Sequence, residues 1–228
     1  MKISGLLKVS LLNYPGLVCA TIFLSDCNFR CPFCHNSSIA KDEYENLSEY
    51  DVLNYLEERK KMLDGVCISG GEPTIHKDLE EFITKIRCLG LKVKLDTNGY
   101  APQVLKNLLD KNLLDYVAMD IKNSKEKYSE ITGTIVNIGH IEDSIDLIMN
   151  SGIDYEFRTT LVSEYHTLSD IEKIAKRIKG AEAYYLQNFE DSGNIMQSGL
   201  HGFKKEEMLK FQDVAKKYVQ NTNLRGVD

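Results

Sequence analysis

The sequence predicts an α/β fold, an open, partial barrel of parallel strands built from about six strand-helix units. Three observations lead there. Short runs rich in Val, Ile and Leu alternate six times with longer segments of helical period, the pattern of parallel strands buried on both faces beneath crossover helices. Polar clusters follow the strands, where open sheets of this class hold their ligands. Six units fall short of the eight that close a complete barrel.

The elements follow in chain order. Residues 1–16 form an N-terminal segment or hairpin, and 17–24 read as the first strand of the core. The polar loop 36–46 leads to a helix over 48–63, where Ser48 stands as N-cap before the acidic Asp51. Further strands are expected at 65–69, 91–96, 115–119, 154–160 and 183–187. Helices are expected at 79–89, 102–112, 138–151 and 169–178, with a last one at 205–218. Gly90 and Gly152 fall where left-handed C-caps end two of these helices. No Pro- or Ser-rich stretch separates two cores, so 1–228 read as one domain, with the barrel core at 17–188 and a C-terminal loop and helix at 189–228.

Composition narrows the function. With 28 Lys and Arg against 34 Asp and Glu, the net charge of -6 argues against a broad nucleic-acid surface, which needs clustered cations. The short basic run Arg59-Lys60-Lys61 lies on a predicted helix face. The N-terminal apolar run is broken by Ser, Asn and Pro, unlike a secretory signal, and no segment approaches the roughly 18 apolar residues of a membrane helix. A cytoplasmic protein is expected, in which six cysteines serve as ligands, nucleophiles or core residues rather than as a disulfide framework.

Their spacing separates these roles. Cys27, Cys31 and Cys34 fall within eight residues of a loop after the first strand, whereas Cys19 and Cys67 lie in strands and Cys88 closes a helix. Thiolates in a tight loop select soft metals and iron-sulfur clusters. Zinc would need a fourth ligand, and His35 sits awkwardly beside Cys34. A four-iron cluster on three thiols keeps one iron open for a substrate.

Here the residues resemble a known family. The spacing C-x3-C-x2-C is similar to the cluster signature of the radical S-adenosylmethionine (SAM) superfamily, with the aromatic Phe33 at a position beside the adenine. Ser69-Gly70-Gly71-Glu72-Pro73 resembles the second signature, which holds the SAM amino group. Asp96-Thr97-Asn98-Gly99 and Asp120-Ile121-Lys122 resemble the segments around the SAM carboxylate. By that resemblance Lys122 neutralises the carboxylate, while Asp96 and Asp120 either bind a monovalent cation or orient Lys122. Val162 matches a position near adenine, Gln187 one near the ribose, and Asn36 stands beside the cluster loop. Arg158, inside an apolar strand, demands a partner, either Glu156 or a group in the site.

The likeness runs from Gly5-Leu6-Leu7-Lys8 and Tyr14-Pro15-Gly16 through CPFCHN, ISGGEPT, LKVKLDTNG, DYVAMDIK, the Lys127-Tyr128 to Thr132-Gly133 segment and GIDYEFRTT. As a set these residues resemble the activating proteins of anaerobic ribonucleoside-triphosphate reductase, kin of the pyruvate formate-lyase activating enzymes. The resemblance implies one 4Fe-4S cluster, reductive cleavage of SAM to a 5'-deoxyadenosyl radical, and hydrogen abstraction from a glycine of a partner enzyme. It implies an anaerobic setting and a reducing donor such as flavodoxin or ferredoxin. No catalytic side chain is expected beyond the cluster and SAM. Three alternatives stay open: activation of another glycyl-radical enzyme, radical action on a small molecule, and a non-catalytic iron-sulfur or zinc module.

Overall fold

The computed structural model describes residues 1–35, 37, 46–191, 193 and 195–227. Its centre is one eight-stranded sheet in which every strand neighbours the next in sequence. The strands are β1 (Ile3–Ser10), β2 (Cys19–Leu24), β3 (Gly65–Gly70), β4 (Lys92–Thr97), β5 (Tyr116–Asp120), β6 (Asp154–Leu161), β7 (Tyr184–Asn188) and β8 (Thr222–Arg225). β1 runs antiparallel to β2, with Leu7 opposite Thr21 and Ser10 opposite Cys19, so residues 1–16 contribute a single strand that pairs with the first strand of the core. All later pairings are parallel, and among the described residues none joins β1 to β8.

The expected strands and helices are all present, with ends displaced by a few residues. The helices are α1 (Glu49–Arg59), α2 (Leu79–Cys88), α3 (Pro102–Asp110), α4 (Tyr128–Thr132), α5 (Ile138–Met149), α6 (Leu168–Arg177) and α7 (Lys205–Lys216). Ser48 is the N-cap of α1 with extended backbone, but its side chain caps nothing; Glu49 and Asp51 supply the acidic first turn instead. Gly90 and Gly152 do take left-handed conformations, at φ 82° and 74°. At the start of α6, Thr167 and Asp170 close a reciprocal capping box.

Alternation along the parallel strands separates two environments. Outward residues such as Ile22, Val66, Val93, Val117, Phe157 and Leu186 are buried under the helices in the main core. The inward set is different. Tyr14, Cys19, Cys67, Tyr116 and Ala118 form a separate buried apolar cluster at the amino ends of the strands. Above it lie charged groups, and above those the strand ends open into a cavity.

Candidate functional site

That cavity, about 250 Å3, lies at the carboxyl ends of β2 to β7. Its lining includes Cys27, Cys31 and Cys34, the aromatic Phe33, and Gly70, Gly71 and Glu72 from the turn after β3. Asp96, Thr97, Asp120, Lys122 and Gln187, also expected, line it as well. Val162 is fully buried outside that lining; its N–H donates to His166 Nδ1 at 3.1 Å, and the His166 ring packs against Phe33. Asn36 lies outside the described residues.

The cysteine loop is held from three sides. The Glu72 N–H donates to the Asp26 carbonyl at 2.9 Å, and the Arg30 N–H donates to the Thr132 carbonyl at 2.7 Å. The Arg30 guanidinium turns back onto the carbonyls of Cys27 and Phe29. Beyond the loop, the Gln197 N–H reaches the Pro32 carbonyl at 3.0 Å and brings Met196 to the cavity wall. The approach is close enough that a Cβ on Gly71 would lie 1.8 Å from the Asp26 carbonyl oxygen, and one on Gly133 would lie 2.6 Å from that of Arg30. Two turns distant in sequence therefore grip the loop by backbone alone.

Glu72 is a clamp as well as a wall. Its Oε1 accepts from the Thr74 N–H at 3.1 Å and from the hydroxyls of Thr74 and Thr97, and its Oε2 from the Asn98 N–H at 2.6 Å. Burial pushes its carboxyl above the usual range, against the pull of these donors. Among the described residues Oε2 accepts from the Asn98 N–H, and its second lone pair keeps acceptor capacity for a cationic group.

A charged ladder crosses the floor. Lys94 pairs with Asp96, which also accepts from the Ser69 hydroxyl at 3.0 Å. Arg158 lies between two carboxylates, with Nε 2.8 Å from Asp120 Oδ1 and Nη1 3.4 Å from Asp96 Oδ2. Lys122 Nζ is 3.0 Å from Asp120 Oδ2. Burial works against ionised Asp120, but Arg158 and Lys122 beside it hold the carboxyl well below its ordinary range. Of the two partners left open for Arg158, Glu156 makes the longer contact, at 3.9 Å, and the carboxylates of the site the shorter ones. The guanidinium belongs to the site.

The signature described as the radical SAM superfamily matches residues 21–178, more than half of the chain. The chain belongs to the radical SAM superfamily. Two proteins of Methanocaldococcus jannaschii, each named "Putative glycyl-radical enzyme activating enzyme", are similar over most of their length. One is 34% identical over 99% of this chain and 96% of its own, the other 30% identical over 89% and 79%. Among solved structures, SuiB of Streptococcus suis bound to S-adenosylmethionine superposes with a TM-score of 0.69 at 16% identity, over 88% of this chain and 48% of its own. The chain spans about half the length of that structural neighbour.

Membership makes the chain an oxidoreductase and implies a 4Fe-4S cluster and SAM. The residues fit both. Three thiols of one tight loop line the same cavity, the soft donor set that iron-sulfur clusters take. Burial pushes the Cys27 thiol up to about 12 and that of Cys31 to about 11, so as thiolates both require a positive centre beside them. An amino acid zwitterion finds complementary charges in Glu72 and Lys122 on the same walls.

Sequence reasoning overlooked Lys94 and Arg30 in this region, as well as Arg225, which enters from β8. For Lys94 a signal existed. In Lys92-Val93-Lys94-Leu95-Asp96 the alternation that exposes Lys92 turns Lys94 inward.

Proposed function

We propose that this protein is a radical SAM activase that cleaves SAM reductively and places a glycyl radical on a partner enzyme, with anaerobic ribonucleoside-triphosphate reductase the first candidate. The observation that carries the reading is the meeting of three thiols, the buried Glu72 and the ammonium of Lys122 around one cavity. The near full-length similarity to the two M. jannaschii proteins supports the glycyl-radical assignment.

When bound and reduced, a 4Fe-4S cluster would supply the single electron for reductive cleavage of the SAM C5'–S bond, with methionine as the leaving group and the glycine α-carbon as the hydrogen donor. The chain's own residues bind and orient. Cys27, Cys31 and Cys34 would ligate three irons. Glu72 and the backbone of Gly70 and Gly71 would hold the amino group, Lys122 the carboxylate, Gln187 the ribose, and Phe33 would lie beside the adenine. For Asp96 and Asp120, orientation of Lys122 is favoured over capture of a monovalent cation, because Arg158 already bridges the two carboxylates. Thr97 tightens the turn through Glu72. A flavodoxin- or ferredoxin-like donor and a cytoplasmic location belong to the same reading; among the described residues no helix is long and apolar enough to cross a membrane.

The test is anaerobic reconstitution with iron and sulfide, followed by dithionite and SAM. Release of 5'-deoxyadenosine is expected, and its absence from a fully loaded protein refutes SAM cleavage. Adding candidate glycyl-radical enzymes and recording the glycyl doublet by electron paramagnetic resonance then selects the partner. A doublet with pyruvate formate-lyase and none with the reductase would reassign it.

A further inference from the structure

Beneath the SAM-facing walls, Glu156 is buried to 1% exposure in the barrel interior. Arg225 reaches it from the last strand as a parallel fork, Nη1 to Oε1 and Nη2 to Oε2 both at 2.9 Å, and the Tyr116 hydroxyl donates to Oε2 at 3.1 Å. The Tyr185 ring, 3.5 Å from the guanidinium carbon, fixes the plane of that fork. One face position further along β6 stands Arg158, close to three carboxylates at once: Asp120 at 2.8 Å, Asp96 at 3.4 Å and Glu156 at 3.9 Å. A single guanidinium cannot serve all three well, and the bidentate fork from Arg225 removes Glu156 from the competition.

We propose that Arg225 is a positioning residue for the SAM site: by saturating Glu156 it leaves Arg158 to hold Asp96 and Asp120, and through Asp120 it aims Lys122 at the SAM carboxylate. The inference rests on the reading that Lys122 receives that carboxylate. Without Arg225, Glu156 is a buried carboxylate held, among the described residues, by one phenol hydrogen bond and a distant Arg158 at 3.9 Å, a costly state that the nearest cation relieves by moving closer. Arg158 is that cation. Its retreat releases Asp120 Oδ1, and the Asp120 carboxylate is then free to turn and carry Lys122, 3.0 Å from its other oxygen, away from the cavity.

The experiment measures equilibrium binding of SAM to the cluster-loaded chain, and in parallel the change that SAM produces in the electron paramagnetic resonance spectrum of the reduced cluster. Arg225→Gln is expected to weaken SAM binding about tenfold, in the range of coupled neighbours, and to diminish the spectral change at unaltered iron content. The double variant Glu156→Gln with Arg225→Gln removes the competitor together with its partner and is expected to bind within about threefold of wild type. Glu156→Gln alone is expected to bind SAM as wild type does; should Arg225→Gln not fold, Arg225→Lys, which keeps the charge but loses the bidentate fork, takes its place and is expected to weaken SAM binding in the same direction. Wild-type affinity in Arg225→Gln overturns the inference, as does a double variant as weak as Arg225→Gln or a tenfold loss in Glu156→Gln. Lys122→Ala separates the two layers of the reading. If it binds SAM normally, the role of Lys122 falls and the inference with it; if it binds weakly while Arg225→Gln does not, only the inference falls.

Discussion

Replacing Gly71 by alanine tests whether the turn after β3 and the cysteine loop form one unit. The added Cβ would lie 1.8 Å from the Asp26 carbonyl oxygen and 2.6 Å from its carbon. Close-packed interiors do not accommodate such contacts, so the Asp26 peptide must retreat by roughly 1.2 Å to restore even a tight separation. Asp26 has little latitude, being a non-glycine residue already at φ 60°. Its retreat breaks the 2.9 Å bond from the Glu72 N–H and strains the 2.8 Å bond from the Gly71 N–H to the Leu24 carbonyl. Overpacking together with the loss of one or two backbone hydrogen bonds costs about 2–5 kcal/mol. For a chain of this size that lowers the melting temperature on the order of 10 °C. Cys27 is the next residue, and ligand sets tolerate displacements of only about 0.5 Å. Iron and sulfide content after reconstitution should therefore fall below about half of wild type, and deoxyadenosine formation about a hundredfold. Gly90→Ala is the control: nothing lies within 4 Å of its Cβ, so it carries only the left-handed strain of about 1–2 kcal/mol and leaves the iron content unchanged. A Gly71→Ala protein that loads iron fully and melts with wild type refutes the coupling.

Further expectations concern charge and the loop. Burial pushes the Cys27 thiol up to about 12 and that of Cys31 to about 11, so in the cluster-free protein their alkylation rate should still be climbing at about pH 10, beyond the plateau of an ordinary thiol; a plateau reached near pH 9 contradicts the burial that raises both thiols. The depressed carboxyl of Asp120 contributes stability that is full above the unfolded value near pH 4 and is lost as pH falls toward the folded one. Urea midpoints of wild type should accordingly decline below about pH 4 more steeply than those of Asp120→Asn, which starts from a lower plateau; parallel curves would refute the assignment. Arg30→Ala removes the guanidinium bonds to the Cys27 and Phe29 carbonyls, worth about 1–2 kcal/mol of loop order, and should speed iron loss to a chelator while the far-ultraviolet spectrum stays unchanged.

Much of this arrangement was legible in the sequence because buried parallel strands leave continuous apolar runs and because the chemistry clusters at their ends. The cysteine loop, the Gly70-Gly71-Glu72 turn and the Asp120-Ile121-Lys122 segment were each local signals, and the fold brings them to one cavity. β8 was overlooked for a physical reason. Thr222-Asn223-Leu224-Arg225 has one large apolar residue and forms a strand by pairing with β7, a tertiary cause that local pattern does not carry. The short α4 was also overlooked, although it ends at the Thr132-Gly133 pair already singled out; its use, to support Arg30, is visible only when residues a hundred positions apart meet. Arg158 shows the limit most clearly. Its need for a partner was evident, but sequence left Glu156 and a group in the site as equal choices, whereas the sheet sets Asp120 opposite it.

The buried cluster of Tyr14, Cys19, Cys67, Tyr116 and Ala118 fills the lower end of the barrel, opposite the strand ends where the cavity opens. The mouth lies at that upper rim. Dioxygen, stray hydrogen donors and the intended glycine all compete for the same passage, so a partner that seats there is substrate and stopper together, and the interval between its arrival and the bond cleavage decides how often the radical is wasted.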